Sequence, residues 1–264
     1  MIPGISTASF YPDHTEEALR NLCSHRVKAV EVFTNCSYEL TAAYIKELRH
    51  IADSSGTRIL SLHPYTSLME TMHFFSAYDR RFQEGRDLYK AYYEAACEMG
   101  ADYVVFHGAD KGCRLERAAY YERYGRLMED AKAWGVELCH ENVCRCVGNA
   151  PSFFTEMQRI FPDAGFVFDV KQAVRSGWDA AEFARQISGG IRHVHISDHR
   201  AGKPGQDCLP PGKGTFNIGA FLAELAENGF DGGVIVELYR ENFSDIVEIM
   251  RGYQHISEVL STIT

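Results

Sequence analysis

Short apolar runs recur along the chain, each followed by a longer stretch whose apolar positions return with helical spacing. The runs at 4–9, 27–33, 58–63, 102–107, 136–142, 165–170, 191–197 and 233–238 predict strands. Most carry β-branched or aromatic residues, and several open on Gly or Asp. The stretches at 15–25, 41–54, 79–99, 115–134, 151–160, 179–187, 218–228 and 245–261 predict helices. In one of them Phe221, Leu222 and Leu225 stand against Glu224 and Glu227. Strands alternating with helices imply parallel βαβ units. Eight such units in 264 residues match the ~250 residues of a (β/α)8 barrel. The fold expected is α/β, a single TIM barrel forming one domain over 1–264. An open doubly wound sheet would ordinarily bring a GxGxxG turn after an early strand, and the sequence has none. The longest irregular piece, 199–215, lies between the seventh and eighth units and reads as a functional loop.

A barrel makes a sharp expectation, because catalytic side chains belong at the C-terminal ends of its strands. Seven of the eight predicted strands carry an ionisable residue there: Glu31, His63, His107, Glu141, Asp169, His195 and Glu237. Glu31 could simply salt-bridge a neighbouring strand, and His63 could be a hydrogen-bonded core histidine. Glu141, Asp169, His195 and Glu237 are more specific, since four consecutive strands would bring them into one small volume. Carboxylates that close repel and resist ionising together unless a divalent cation neutralises them. An oxygen-rich set with one imidazole suits Mn²⁺, Mg²⁺, Co²⁺ or Zn²⁺. His193 shares a strand face with His195 and reads as core or as support for it.

Composition narrows the partners. With 27 Lys+Arg against 36 Asp+Glu, the formal charge of -9 counts against a duplex nucleic acid. No run reaches the ~18 apolar residues of a membrane helix. No basic start followed by an apolar stretch opens the sequence. The eight cysteines are too sparse for a disulfide scaffold, and Cys139, Cys144 and Cys146 lack paired CxxC spacing. Reduced thiols in a cytoplasmic protein are expected.

The strand ends, together with FDVKQA (168–173), VHISD (194–198), LPPGKG (209–214) and VELY (236–239), resemble the xylose-isomerase-like barrel superfamily. That superfamily holds sugar isomerases, epimerases and apurinic-site endonucleases, and the likeness covers nearly the whole chain. In its ketose 3-epimerases a Glu, an Asp, a His and a Glu from strands five to eight bind one divalent metal. The matching positions are Glu141, Asp169, His195 and Glu237. The resemblance implies an isomerase or epimerase of a sugar or sugar phosphate. Glu141 and Glu237 would transfer protons through a metal-stabilised enediolate, and a homodimer or homotetramer would be usual. A keto-inositol dehydratase, an endonuclease-like hydrolase and a non-catalytic binding protein are the alternatives. The endonuclease branch builds a three-zinc cluster. Here Gln172 stands where that cluster has a histidine, and Gln206-Asp207-Cys208 replaces an Asp-x-His, so the third zinc site is expected to be broken.

Substrate-binding candidates complete the reading. His63 and His107 offer imidazoles to sugar hydroxyls, and Gln172 follows the Asp169 strand end. Lys171, placed to alternate with Asp169, could stabilise an enediolate oxygen or form a solvated salt bridge. Arg200 corresponds to a position where epimerases of this type hold a substrate hydroxyl. Lys213, in the turn formed by Gly212 and Gly214, could meet a phosphate or carboxylate, or the turn could be purely structural. The 64–78 loop, with Met69, Met72, His73, Phe74 and Phe75, could cap the pocket with an apolar wall, make an oligomer contact, or do both.

Overall fold

Strand alternation sends every second side chain to the barrel axis. In the computed structural model, which describes residues 1–203 and 205–263, that alternation separates two environments. The strands are β1 (Ile2–Ser6), β2 (Ala29–Phe33), β3 (Arg58–His63), β4 (Tyr103–Phe106), β5 (Glu137–Glu141), β6 (Phe166–Asp169), β7 (Ile191–Ile196) and β8 (Gly233–Val236). Each pairs in parallel with the next, and β8 closes on β1. The expected single (β/α)8 barrel is what forms.

Outward positions such as Val30, Leu62, Val104, Phe106, Leu138, Phe168, Val194 and Val236 join one large core under the helices. Inward positions nearer the strand starts make two small apolar plugs, Ala29–Leu60–Ile235 and Val105–Cys139–Val167. Above the plugs the inward residues turn polar, and there the ionisable strand ends collect.

Ten α-helices are present among the described residues: α1 (Thr15–Ser24), α2 (Ala42–Ser55), α3 (Glu70–Phe74), α4 (Asp79–Met99), α5 (Arg117–Ala133), α6 (Pro151–Ile160), α7 (Val170–Arg175), α8 (Ala180–Ile187), α9 (Ile218–Glu227) and α10 (Ile246–Ser261). The eight expected from periodicity all occur, those at 79–99 and 151–160 with the expected bounds and the others with ends shifted by one or two residues. Two short ones, α3 and α7, are additions. The strand expected at 4–9 stops at Ser6, because Thr7–Phe10 turns into a 3₁₀ segment whose Ala8 N–H is accepted by Ser6 Oγ. Residues 170–175, expected to begin as strand, turn helical because the Asp169 carboxylate caps them by accepting from Gln172 N–H.

On α4, Tyr89, Tyr92 and Tyr93 pack into the core, all three rings buried. One further expectation settles here. The 64–78 loop does not wall the pocket with Phe74 and Phe75. Both are buried in the core, where Phe75 stacks on Tyr120 at 4.0 Å and Phe74 meets Phe106 at 5.7 Å. Apolar area is better hidden there than on a solvated lid.

The barrel floor also explains one glycine. A Cβ on Gly4 would stand 2.4 Å from Ile235 Cδ1 and 2.6 Å from the carbonyl oxygen of Ala29. The methyl can rotate away, but the backbone oxygen cannot. Gly4→Ala should therefore lower stability by about 1–2 kcal/mol, overpacking outweighing the smaller entropic gain of alanine. Urea unfolding reads this directly, and a variant as stable as the parent would contradict the close approach.

Candidate active site

The polar end of the barrel is built around His195. Its Nε2 lies 3.0 Å from Glu31 Oε2, and its Nδ1 faces three carboxylates: Glu141 Oε1 at 3.3 Å, Glu237 Oε2 at 3.5 Å and Asp169 Oδ2 at 3.8 Å. Four strands deliver this group. Glu141 and Asp169 end β5 and β6, His195 lies in β7, and Glu237 follows β8. Backbone clamps fix it further. Asn142 accepts from Asp169 N–H at 2.6 Å and donates to Asp169 carbonyl at 2.9 Å.

Glu31 turns out to support the site from below as well as linking strands. Fully buried, it accepts from Ser6 Oγ at 3.0 Å and Ser61 Oγ at 2.8 Å, with His193 Nε2 at 3.2 Å. Burial alone would raise its pKa, but the His195 charge and both histidine hydrogen bonds hold it well below the usual carboxylate range. A carboxylate on one imidazole nitrogen aims the other at the cluster, the arrangement that orients metal-binding histidines. His193 has the supporting place expected of it.

Beside this group, His63 and His107 meet edge to face, their Nε2 atoms 3.0 Å apart. His63 Nδ1 points to Pro64 carbonyl, and Arg145 Nη2 lies 3.4 Å from His107 Nδ1. Because arginine only donates, His107 Nδ1 accepts and its Nε2 carries the proton. Lys171 Nζ, buried, contacts both Asp169 Oδ2 and Glu237 Oε2. It reaches them from the first turn of α7, not by alternation along a strand.

The charges compete for neutralisation. Burial pushes Asp169 up, and the nearby Glu141 and Glu237 add to that against the pull of Lys171. Glu141 is instead held well below the usual range, burial being outweighed by the electrostatic effect of the His107, His195 and His63 imidazoles around it. For His195, burial is outweighed by Glu31 and Glu237, which push it well above the usual imidazole range.

Two observations test whether these residues suit a divalent cation. Ligand atoms of Glu141, Asp169, His195 and Glu237 all lie within 4.8 Å of one another. Glu141 Oε2 is buried without a well-aligned hydrogen bond, although His107 Nε2 is 2.8 Å away. A mixed carboxylate–imidazole set with a spare oxygen fits such an ion. A second compact group, His63–His107–Glu141, adjoins it, and Glu31–His193–His195 lies below.

Above the group opens a cleft of about 370 Å³, lined among others by Tyr11, Phe33, His63, His107, Glu141, Lys171, Gln172, Glu237 and Tyr239. A larger cavity, about 1080 Å³, opens at the other end of the barrel around Leu60, Tyr103, Met128, Phe161 and Arg192. It holds none of the clustered groups, and volume alone is no sign of chemistry.

A family model described as xylose isomerase-like TIM barrel matches residues 20–262. The chain belongs to the xylose isomerase-like TIM barrel family. A relative in Mycobacterium leprae, itself uncharacterised, is 32% identical over 255 residues, covering 89% of this chain and 88% of its own. Among solved structures, a D-tagatose 3-epimerase-like protein superposes with a TM-score of 0.82 at 21% identity, covering 100% of this chain and 98% of its own. The IolI protein with a bound zinc atom gives 0.77 at 20% identity, covering 100% and 98%. At these identities the structural likenesses establish the fold.

Not every residue singled out from the sequence meets the cleft of this xylose isomerase-like barrel. Glu141, Asp169, His195, Glu237, His63, His107, Lys171 and Gln172 come together. Gln172 gives its amide oxygen to Cys144 N–H at 3.0 Å. Arg200 and Lys213 lie exposed in their loop, outside the cleft lining. Arg200 donates to Gln206 Oε1 at 3.1 Å and Lys213 carbonyl at 2.7 Å. That loop folds on Asp198, whose carboxylate accepts from the N–H groups of His199, Gly212, Gly214 and Phe216. A Cβ on Gly214 would lie 2.2 Å from Asp198 Oδ1. The GKG sequence thus serves a turn. The eight cysteines are all free. No helix among the described residues is long and apolar enough to cross a membrane.

Sequence reasoning missed Tyr239 and Glu70. Tyr239 follows the VEL segment, and its hydroxyl accepts from Arg175 at 2.7 Å. Glu70 is buried in α3, accepting from Tyr89 Oη at 2.6 Å and from Gly108 N–H, next to His107, at 2.5 Å. Its only signal was a single acid in an apolar loop. Burial lifts Glu70 from 4.5 to about 8, against the lowering hydrogen bonds from Tyr89 and Gly108 and the more distant His63 and Arg145. A raised folded pKa gives stability that is present below the unfolded value and lost as pH climbs towards 8. Gln would accept from Gly108 N–H with its amide oxygen and donate to Tyr89 Oη with its amide nitrogen, so both contacts remain without the charge. Glu70→Gln should therefore gain on the parent by roughly 1 kcal/mol per pH unit between about pH 5.5 and 7.5. Urea unfolding across that range checks it, and a constant difference would refute the assignment.

Proposed function

We propose that this protein is a divalent-metal-dependent epimerase or isomerase that moves a proton on a sugar or sugar phosphate. One observation carries the reading. Glu141 and Glu237 belong to the same four-residue donor group and also line the same cleft. They arrive from β5 and from the end of β8, so a substrate carbon between them would meet a carboxylate on each face. Asp169 and His195 lie deeper, as pure ligands would. A divalent ion bound by the four would polarise a substrate carbonyl and acidify the adjacent C–H.

The chain's own groups then do the rest. One glutamate removes the proton and the other returns one from the opposite face, their roles exchanging with the direction of reaction. His63 and His107 offer hydrogen bonds to sugar hydroxyls. Phe33 and Tyr239 give the C–H faces of the ring an apolar wall. The name of the D-tagatose 3-epimerase-like neighbour supports this chemistry, and the zinc in the IolI structure supports a metal on this fold. The endonuclease reading has less behind it. Gln172 is bonded to Cys144 N–H, and Asp207 is paired with Arg175 instead of facing the cleft.

NMR-monitored exchange from D₂O, run over ketoses, inositol ketones and their phosphates, tests the proposal. Deuterium should enter one carbon of one substrate class. Glu141→Gln and Glu237→Gln should each slow it by about 10²-fold or more, and wild-type exchange in either variant would overturn the two-glutamate mechanism. Chelation should abolish exchange, and adding back Mn²⁺, Co²⁺, Mg²⁺ or Zn²⁺ should restore it. Exchange that survives exhaustive chelation would remove the metal from the reading.

A further inference from the structure

Lysine is rarely buried without a partner, and Lys171 is only 3% exposed. Its partners are Asp169 Oδ2 and Glu237 Oε2, the same two oxygens that face His195 Nδ1 at 3.8 and 3.5 Å. Its ammonium therefore uses lone pairs that a cation held by the four-residue group would also need. On its other side the side chain borders the cleft, with the Tyr239 ring 5.5 Å from Nζ and the Tyr239 hydroxyl anchored by Arg175. The first direction holds carboxylates. The second opens on substrate.

We propose that Lys171 is a built-in competitor for the metal: a divalent ion must displace its ammonium from Asp169 and Glu237, and the displaced ammonium swings under Tyr239 into the cleft. This inference rests on the metal-dependent reading of the site. Metal loading then does two things. It completes the donor group, and it delivers a cation to an oxygen of the bound substrate. The cost is a weaker hold on the metal than the four ligands alone would give, because two charge-assisted contacts break for each ion bound. Until an ion arrives, the Lys171 ammonium also serves Asp169 and Glu237 as their counter-charge.

Lys171→Met keeps the length and apolar stem and removes the charge. Calorimetric titration with Mn²⁺ should show roughly tenfold or greater tightening in this variant, and its metal-free form should unfold at lower urea than the parent. Unchanged or weaker Mn²⁺ affinity overturns the competition. A second measurement needs no variant. Acetylation of the wild-type protein, mapped by peptide mass, should modify Lys171 severalfold faster with saturating Zn²⁺ than without, and equal protection overturns the displacement. Failure of the wild-type protein to bind Mn²⁺ or Zn²⁺ at all overturns both this inference and the metal reading. Wild-type binding without tightening in Lys171→Met overturns the inference alone.

Discussion

Four carboxylates, three of them buried and the fourth at the cleft edge, converging at one end of the barrel are the constraint from which the rest of the site follows. Glu31, Glu141, Asp169 and Glu237 could not stay ionised together in an apolar mouth without compensation. Each polar neighbour supplies part of it. His195 lies between Glu31 below and three acids above, Lys171 binds two of those acids, and His63 and His107 approach Glu141. The serines of β1 and β3 hydrogen-bond Glu31 from either side. Replacing any of these by an apolar residue would leave a charge uncompensated, which costs more than the lost contact itself.

The scaffold makes this concentration tolerable by confining it. Alternation along the strands keeps Val, Leu and Phe outward under the helices and plugs the axis with Ala29, Leu60, Ile235, Val105, Cys139 and Val167. The polar layer is therefore open only towards the cleft. His140, neighbour of Glu141 on β5, shows how strict the separation is. It faces outward among Phe106, Phe153 and Tyr124, hydrogen-bonded to Tyr120 at 2.7 Å, and burial drives its pKa down to about 3. Two adjacent ionisable residues thus have opposite fates, one kept charged and one kept neutral.

How legible this was depended on the range of the interaction. Most strand ends were legible because period-two alternation and the apolar run locate them within a residue or two, so Glu141, Asp169 and His195 could be grouped from the sequence. Lys171 was assigned to the cleft for the wrong geometric reason. Asp169 ends the strand by capping a helix, and that capping bond depends on where the strand stops. Arg200 and Lys213 could not be resolved from spacing, since the loop is organised by Asp198 gathering backbone N–H groups, a contact with no periodic signature. Glu70 was invisible for a related reason, as its partners Tyr89 and Gly108 come from α4 and the end of β4.

The two halves of the site also differ in how rigidly they are held, and that difference bears on function. His195 and Asp169 are fixed from behind, by Glu31 and by the paired hydrogen bonds of Asn142, so their donor atoms have little freedom. Glu237 and Lys171 pair with each other at the margin of the cleft, Lys171 also contacting Asp169 and lying 5.5 Å from the Tyr239 ring centroid. Glu141 lies between these extremes, with one oxygen near His195 and the other lacking an aligned partner. A proton-transfer group has to exchange partners during a reaction, whereas a ligand that only positions an ion should not. On the metal-dependent reading proposed above, the rigid pair suits the place of ligands and the looser glutamates suit proton transfer. This division comes from packing and hydrogen bonding alone, independently of the family resemblance that implied those roles.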